Sequence, residues 1–204
     1  MHCWIAVPVL CLAGAQTLTA QYIHPKFKSN ERTVHTVAVV TPKVEASGKA
    51  NESYKASDLA DKLSEIVSEA LKNAGRDVQP APTDEKQVAA LQASFDAAKG
   101  NPNDVGKGKY RLGPDIAKTA PAVDALVFVR ADAVFDSIVS GSRDATSLSI
   151  TITPKNKVRS RFSMVDAKTG DVLYYFTADG KGDNSQTWAS LEKGVSTGLS
   201  RLPK

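Results

Sequence analysis

The sequence predicts an α/β protein: a single domain with a mixed β-sheet flanked by helices, a C-terminal antiparallel meander and a closing helix. Two observations lead to this class. In the first half, β-branched runs alternate with amphipathic helical stretches, which favours strands joined by crossover helices. In the second half, three strand-like segments follow one another at hairpin spacing, which is typical of an antiparallel meander.

Residues 1–20 predict a signal peptide. They carry no Asp, Glu, Lys or Arg and are almost wholly apolar up to Ala15. An apolar run of about 7–15 residues followed by small residues is typical of a cleaved secretory signal, whereas a membrane anchor needs about 20 apolar residues. We expect cleavage after Ala20, with Ala15 as the alternative, and delivery of the mature chain to the periplasm.

Both cysteines, Cys3 and Cys11, lie inside this segment, so the mature chain would hold no thiol, disulfide or thiolate metal site. Lipidation of Cys11 would place the protein on the outer membrane. Lipoprotein signals have a small residue before the cysteine, and here Leu10 precedes it. An outer-membrane lipoprotein is therefore the less favoured alternative. The net charge of +4 is spread along the chain and permits an anionic partner without requiring one.

The first segments of the mature chain differ in pattern. Residues 21–32 lack periodicity and predict an extended lead-in. The β-branched run 33–40 predicts a strand buried on both faces of the sheet. Residues 41–56 contain Pro42 and Gly48 and predict a loop.

Two helices are predicted next. Ser57 or Asp58 caps the first, and Gly75 follows its end. Its apolar residues recur at helical spacing: Leu59, Leu63, Ile66, Val67, Ala70, Leu71 and Ala74. A short strand at 77–79 and a second helix from Thr83 to Gly100 follow. The inward residues of that second helix are predicted to be Val88, Leu91, Phe95 and Ala98.

The remaining segments complete the domain, which is predicted to span 33–204. The segments are a loop at 101–113, a short helix at 114–120, strands at 124–135, 147–153, 157–165 and 172–178, and loops at 137–145 and 166–170. The closing helix begins near Asn184 and places Trp188, Leu191, Val195 and Leu199 inward.

Three patterns in the sequence partly match known chemical sites. The G-x-S-x-G pattern at 194–198 lies inside the closing helix and has no histidine after it, unlike the strand-to-helix turn of serine hydrolases. The glycines at 106 and 108 lack the spacing and hydroxyl of a phosphate-binding loop. Neither His24 nor His35 has a second ligand at metal spacing. We therefore predict no catalytic residue, metal or cofactor, although a pair of carboxylates brought together by the fold remains an alternative.

One pattern does predict a binding site. Basic side chains alternate along one strand and should project from a single side of it: Lys155, Lys157, Arg159 and Arg161. Val158, Phe162 and Met164 should lie on the other side. This basic ridge is either a solvated surface or a docking surface for an anionic partner.

The order of elements also resembles a known family. The segments TVAVV, SDLADKLSEIVSEALKNAG, DALVFVRADAVF and FSMVDAKTGDVLYYF resemble those of envelope proteins related to the curli secretion protein CsgG. That family includes the lipoprotein activators of penicillin-binding proteins and the amino-terminal domain of TolB. The resemblance covers roughly 33–202 and implies a non-enzymatic periplasmic domain that binds other envelope components. This sequence departs from the family in lacking a lipobox. It also lacks an apolar alternating hairpin long enough to build a CsgG-type pore, so secretion-channel activity is not expected.

Together these observations predict a non-enzymatic accessory or binding protein of the bacterial envelope. Its partner would be an envelope protein or an anionic glycan or lipid surface, with no role for nucleic acid and no transmembrane segment in the mature chain. The alternative is a hydrolase of an envelope polymer that uses an unrecognised carboxylate pair.

Overall fold

The structure is a computed structural model that describes residues 22–48, 56–80, 86, 89–93, 122–144 and 147–203. For residues 137–144 and 147–154, and for Ala56 and Asn184, it describes the backbone alone. The elements are β1 (Tyr22–Ile23), α1 (Pro25–Lys28), β2 (Thr36–Val39), β3 (Lys43–Ser47), α2 (Ala56–Asn73), β4 (Asp77–Gln79), β5 (Ala125–Asp144), β6 (Ser147–Asp166), β7 (Val172–Gly182) and α3 (Asn184–Leu199). They confirm the predicted α/β class, the antiparallel meander and the closing helix.

The sheet is mixed, with the strand order β1-β7-β6-β5-β2-β4. β5, β6 and β7 form the antiparallel meander, and β1 adds to β7 antiparallel. β2 runs parallel to both β4 and β5. β3 is also parallel to β5. β2 pairs with residues 125–127 of β5 and β3 with residues 130–134, so the two short strands follow one another along the same edge of β5.

α2 and α3 pack on one face of the sheet and form the main core with it. Leu63 and Ile66, at the centre of the apolar stripe of α2, are 1% and 5% exposed, which confirms that this stripe faces the sheet. Gly75 follows the helix with φ of 80°, a conformation that glycine adopts without strain. In α3, Leu191 and Val195 are fully buried, as predicted.

A smaller apolar cluster lies on the opposite face of the sheet. It brings Leu91, from the helical residues 89–93, against Leu126, Phe128 and Val165. Leu91 was predicted to point inward and is 1% exposed. The rest of the predicted helix from Thr83 to Gly100, the loop at 101–113 and the short helix at 114–120 lie outside the described residues.

Two stretches that were predicted to lack regular structure contain it. The lead-in holds β1 and α1, and Phe27 of α1 is 1% exposed. The loop predicted at 41–56 holds β3. The prediction failed in both places because these short elements are stabilised by distant partners, such as Tyr175 opposite Tyr22, while local turn signals dominate their own sequence.

The largest correction concerns the hairpin of β5 and β6. Residues 137–144, predicted as loop, continue β5, and the strands predicted at 147–153 and 157–165 are one strand that runs through Pro154. A proline is tolerated there because β7 ends opposite Asn156, so that β6 beyond this point has one described neighbour. Each strand of the hairpin has 20 residues. The hairpin is therefore longer than the sequence predicted.

A charged sheet face as the candidate functional site

Beyond the smaller apolar cluster, the same face of the sheet carries mainly polar and charged side chains at half-buried and exposed positions. We call this region the charged face. Its residues lie in rows that cross β3, β5, β6 and β7, because partners in adjacent strands stand side by side. The first row is Lys43, Arg130, Arg161 and Thr177; the second is Glu45, Asp132, Arg159 and Asp179; the third is Ser47, Val134, Lys157 and Lys181. Lys155 lies opposite Asp136 in a fourth row.

The alternating sequence of β6 positions this face. Val158, Phe162 and Met164 are buried on the side that meets the helices, which confirms their predicted orientation. Phe162 stacks on Phe176 of β7 with the ring centroids 4.6 Å apart. Since successive side chains of a strand point to opposite faces, this anchoring turns the intervening cations away from the core.

All four residues of the predicted basic ridge lie on the charged face. Lys155, Lys157 and Arg159 are exposed, and Arg161 is half-buried. The sequence predicted the orientation of the ridge but missed its neighbours across the strands. A signal for one of these strands was present, since Lys43 and Glu45 alternate with Val44 and Ala46 in the stretch read as loop.

Arg159 is held by Asp179 on β7. Its Nε and one terminal nitrogen donate to the two carboxylate oxygens at 2.9 and 3.2 Å, which is a bidentate pair. This side-chain hydrogen bond from Arg159 is the main cause that lowers the pKa of Asp179 below its ordinary value. Lys181 and Lys157 lower the pKa of the same carboxyl group further through their charge. The charge of Arg159 is thus largely balanced within the protein.

Arg161 forms an ion pair with Asp132 on β5, with one terminal nitrogen 2.6 Å from a carboxylate oxygen. Both residues line a shallow polar depression of about 220 Å³, together with Lys43, Glu45 and Arg130. Burial is the first cause that lowers the pKa of the Arg130 guanidinium, and the charge of Glu45 opposes it. The depression is smaller than the roughly 300–1,000 Å³ of common small-molecule pockets.

The lysines of the charged face differ from its arginines. Lys157 and Lys181 are exposed and stand directly opposite each other in the register of β6 and β7. Among the described side chains, neither has an ion pair, and the same holds for Lys155. Like charges in directly opposite positions of a sheet are destabilising. The predicted ridge therefore divides into paired arginines and unpaired lysines.

The remaining sequence motifs have structural roles where they are described. Ser196 of the G-x-S-x-G pattern is exposed on α3, and Gly198 lies against the ring of Phe176. Asp183 caps the start of α3 by accepting the backbone N–H of Gln186 at 2.8 Å. Within the described ranges, three or more metal-ligating side chains do not come together. Residues 106–108 and residues 1–20 lie outside the described part of the chain.

Of the helices that the structure describes, none is long and apolar enough to cross a membrane.

Comparison with known proteins gives a likeness of fold only. No family model matches the sequence, and no curated protein does. Among solved structures, the chain is similar to PelC from Paraburkholderia phytofirmans, a dodecamer, with 16% identity and a TM-score of 0.48 over 90% of this chain and 94% of that one. It is also similar to a putative neuraminyllactose-binding hemagglutinin homolog from Helicobacter pylori, with 15% identity and a TM-score of 0.41 over 83% and 81%. A lipoprotein from Neisseria meningitidis gives 18% identity and a TM-score of 0.39 over 80% and 94%. Likenesses this low carry no information on partner or activity.

Proposed function

We propose that this chain is a non-enzymatic accessory or binding protein of the bacterial envelope, and that it docks an envelope component with the charged face. The proposal rests on a difference between the two faces of the sheet. Helices cover one face, and the smaller apolar cluster covers part of the other. Among the described residues, no helix or strand covers the rows of charged residues beyond that cluster, which extend over four strands.

The state of the charged groups supports binding over catalysis. Asp132 and Asp179 are each engaged by an arginine, which orients both carboxylates and balances their charge. Side chains that are already oriented in the free protein lose less entropy when a partner binds.

The proposed compartment is the periplasm, reached after removal of residues 1–20. The apolar, small-residue-terminated leader supports it. We also propose kinship with the CsgG-related envelope proteins, which the order of elements and the turn at 166–170 support.

Site-specific photo-crosslinking in cells tests the docking surface. Val134 is 41% exposed and lies in the third row, so a benzophenone amino acid there should give an adduct with an envelope component. The matched control places the same amino acid at Glu69, which is exposed on α2 and away from the charged face. Absence of an adduct at position 134, or equal adducts at both positions, would contradict the proposal.

A hydrolase remains the second candidate because of one pair of acids. Glu45 and Asp132 stand directly opposite each other in β3 and β5 and both line the polar depression. Two neighbouring carboxyl groups can serve as acid and base in the cleavage of a glycan. Glu45→Gln and Asp132→Asn should then each abolish turnover of envelope glycan or peptide. Turnover that persists in both variants, or none in the unaltered protein, excludes this candidate.

A further inference from the structure

Three lysines of the charged face take no part in an ion pair among the described side chains: Lys155, Lys157 and Lys181. Arg159 and Arg161 use Asp179 and Asp132. The third row then holds Lys157 and Lys181 side by side and no acid. We propose that Lys155, Lys157 and Lys181 bind an acidic polysaccharide, a glycan chain that carries carboxylate or phosphate groups; this inference rests on the proposed docking function.

The arrangement fits a polymer better than a compact ligand. Neighbouring strands lie about 4.8 Å apart, and residues two apart on a strand are about 6.6 Å apart. The ammonium groups of Lys155, Lys157 and Lys181 are therefore spread over two strands on an open surface. Such spacing is comparable to the length of one sugar residue, so that an extended chain with repeated charges can contact several lysines at once. A bound anion between Lys157 and Lys181 would also relieve the repulsion of two like charges in opposite positions.

The surrounding residues favour a glycan over other polyanions. Proteins that lie on lipid combine basic residues with Trp, Phe or Leu side chains that enter the bilayer. Protein interfaces are enriched in aromatic residues at their centre, and single-stranded nucleic acids stack on aromatic rings. Among the described residues, Val134 is the only large apolar side chain that is exposed. A polymer with a charge on each repeat can be held by cations alone, and the charged face matches that chemistry.

The test uses the full mature chain and three probes: polygalacturonate, neutral dextran, and vesicles of phosphatidylglycerol and phosphatidylcholine. Binding to polygalacturonate is expected and should weaken as salt rises, because each contact releases counterions. Dextran should not bind. Failure to bind polygalacturonate, or tighter binding to the vesicles, would overturn the inference.

Two triple variants distinguish the effect of these three lysines from the effect of the net charge of the protein. Lys155→Gln, Lys157→Gln and Lys181→Gln together should weaken binding to polygalacturonate by about a hundredfold and flatten its salt dependence. The control replaces Lys28, Lys72 and Lys193, three exposed lysines on the helices, with Gln. It removes the same formal charge and should change binding by less than about twofold, because exposed charges beyond about 10 Å are screened at 0.1 M salt. Equal weakening in both variants would overturn the proposal.

The single variants Lys157→Gln and Lys181→Gln serve if the triple variant does not fold, and each should weaken binding by about fivefold. Unchanged binding in both singles would count against the site. The crosslinking test remains separate: an adduct at position 134 without polygalacturonate binding leaves the docking function in place and removes only the glycan as its partner.

Discussion

Asp124 and Thr36 form two hydrogen bonds with each other, and each residue is the donor of one. The backbone N–H of Thr36 donates to the Asp124 carboxylate at 2.9 Å, and the backbone N–H of Asp124 donates to the Thr36 hydroxyl at 3.0 Å. The same carboxylate accepts the backbone N–H of His35 at 2.9 Å. These bonds join the start of β2 to the start of β5, two parallel strands that are far apart in sequence.

The first prediction concerns the pH dependence of this contact. The backbone hydrogen bond from Thr36 is the main cause that lowers the pKa of Asp124 below its ordinary value of 3.8. A carboxyl group with a lowered folded-state pKa stabilises the fold above its unfolded pKa, and this contribution is lost as the pH falls through the folded value. Asp124→Asn should reduce the free energy of unfolding by about 1–3 kcal/mol at pH 7, and the difference should shrink below pH 3.8.

Urea denaturation across this pH range measures the effect. Asp61→Asn, at an exposed position of α2, is the control and should change the free energy of unfolding by less than about 0.5 kcal/mol. A loss in Asp124→Asn that does not vary with pH would show that the charge of the carboxylate is not what stabilises the contact.

The second prediction concerns the core beneath α2. Leu63→Ala should lower the free energy of unfolding by about 2–5 kcal/mol, because the leucine is 1% exposed and its removal leaves a cavity against the sheet. Denaturant midpoints with an unchanged slope would report this loss. A change below about 1 kcal/mol would mean that α2 does not pack as described.

The third prediction concerns the G-x-S-x-G pattern. A Cβ at Gly198 would lie 2.3 Å from the ring of Phe176, so Gly198→Ala should cost about 1–3 kcal/mol through overpacking. Ser196→Ala, on the exposed side of the same helix, should stay within about 0.5 kcal/mol. Thermal unfolding of both variants tests the packing role. Loss of a hydrolytic activity in Ser196→Ala, with Gly198→Ala unchanged in stability, would reverse the interpretation.

The fourth prediction concerns three cations of β6 on the charged face. Replacement of Lys157, Arg159 and Arg161 with Ser should leave the protein folded, because exposed ion pairs contribute only about 0.2–1 kcal/mol each. Val158→Ser on the opposite side of the same strand should cost more than about 2 kcal/mol, since Val158 is 1% exposed. Circular dichroism and urea denaturation compare the two. A triple variant that cannot fold would show that the charged face is buried in the native protein.

The fifth prediction concerns processing. Mass spectrometry of the protein from its native host should find a mature chain that begins at Gln21 or, with the alternative cut, at Gln16, without added acyl mass. The reason is the apolar leader with small residues before both positions. Retention of Met1, or a lipid on Cys11, would remove the basis for a free periplasmic protein.

Much of the fold follows from periodicity. The 3.6-residue period predicted α2 and the inward residues of α3, and the apolar runs predicted β2 and the first part of β5. The errors in the predicted secondary structure occur where a strand forms only because a neighbouring strand pairs with it. β3 has turn residues on both sides and forms because β5 offers a parallel partner, while Pro154 would end a strand that had neighbours on both sides.

The candidate site was also predicted only in part: the sequence indicated the direction of its side chains but not their partners. The alternation of Lys155, Lys157, Arg159 and Arg161 was sufficient to place the ridge on one side of its strand, because side-chain direction in a strand has a period of two. Asp179 is 20 residues from Arg159, and the local pattern contained nothing to bring them together. Which cations are neutralised depended on strand register.

The sequence by itself determined the fold class, the faces of the long helices and the direction in which the basic ridge points. Each of these depends on interactions within a few residues or on simple burial of apolar side chains. Only the tertiary structure decided that the arginines of the ridge are paired and that Lys157 faces Lys181. The physical reason is that cross-strand partners are chosen by register, which the turns and the irregularity between Met164 and Val165 set for the whole meander at once.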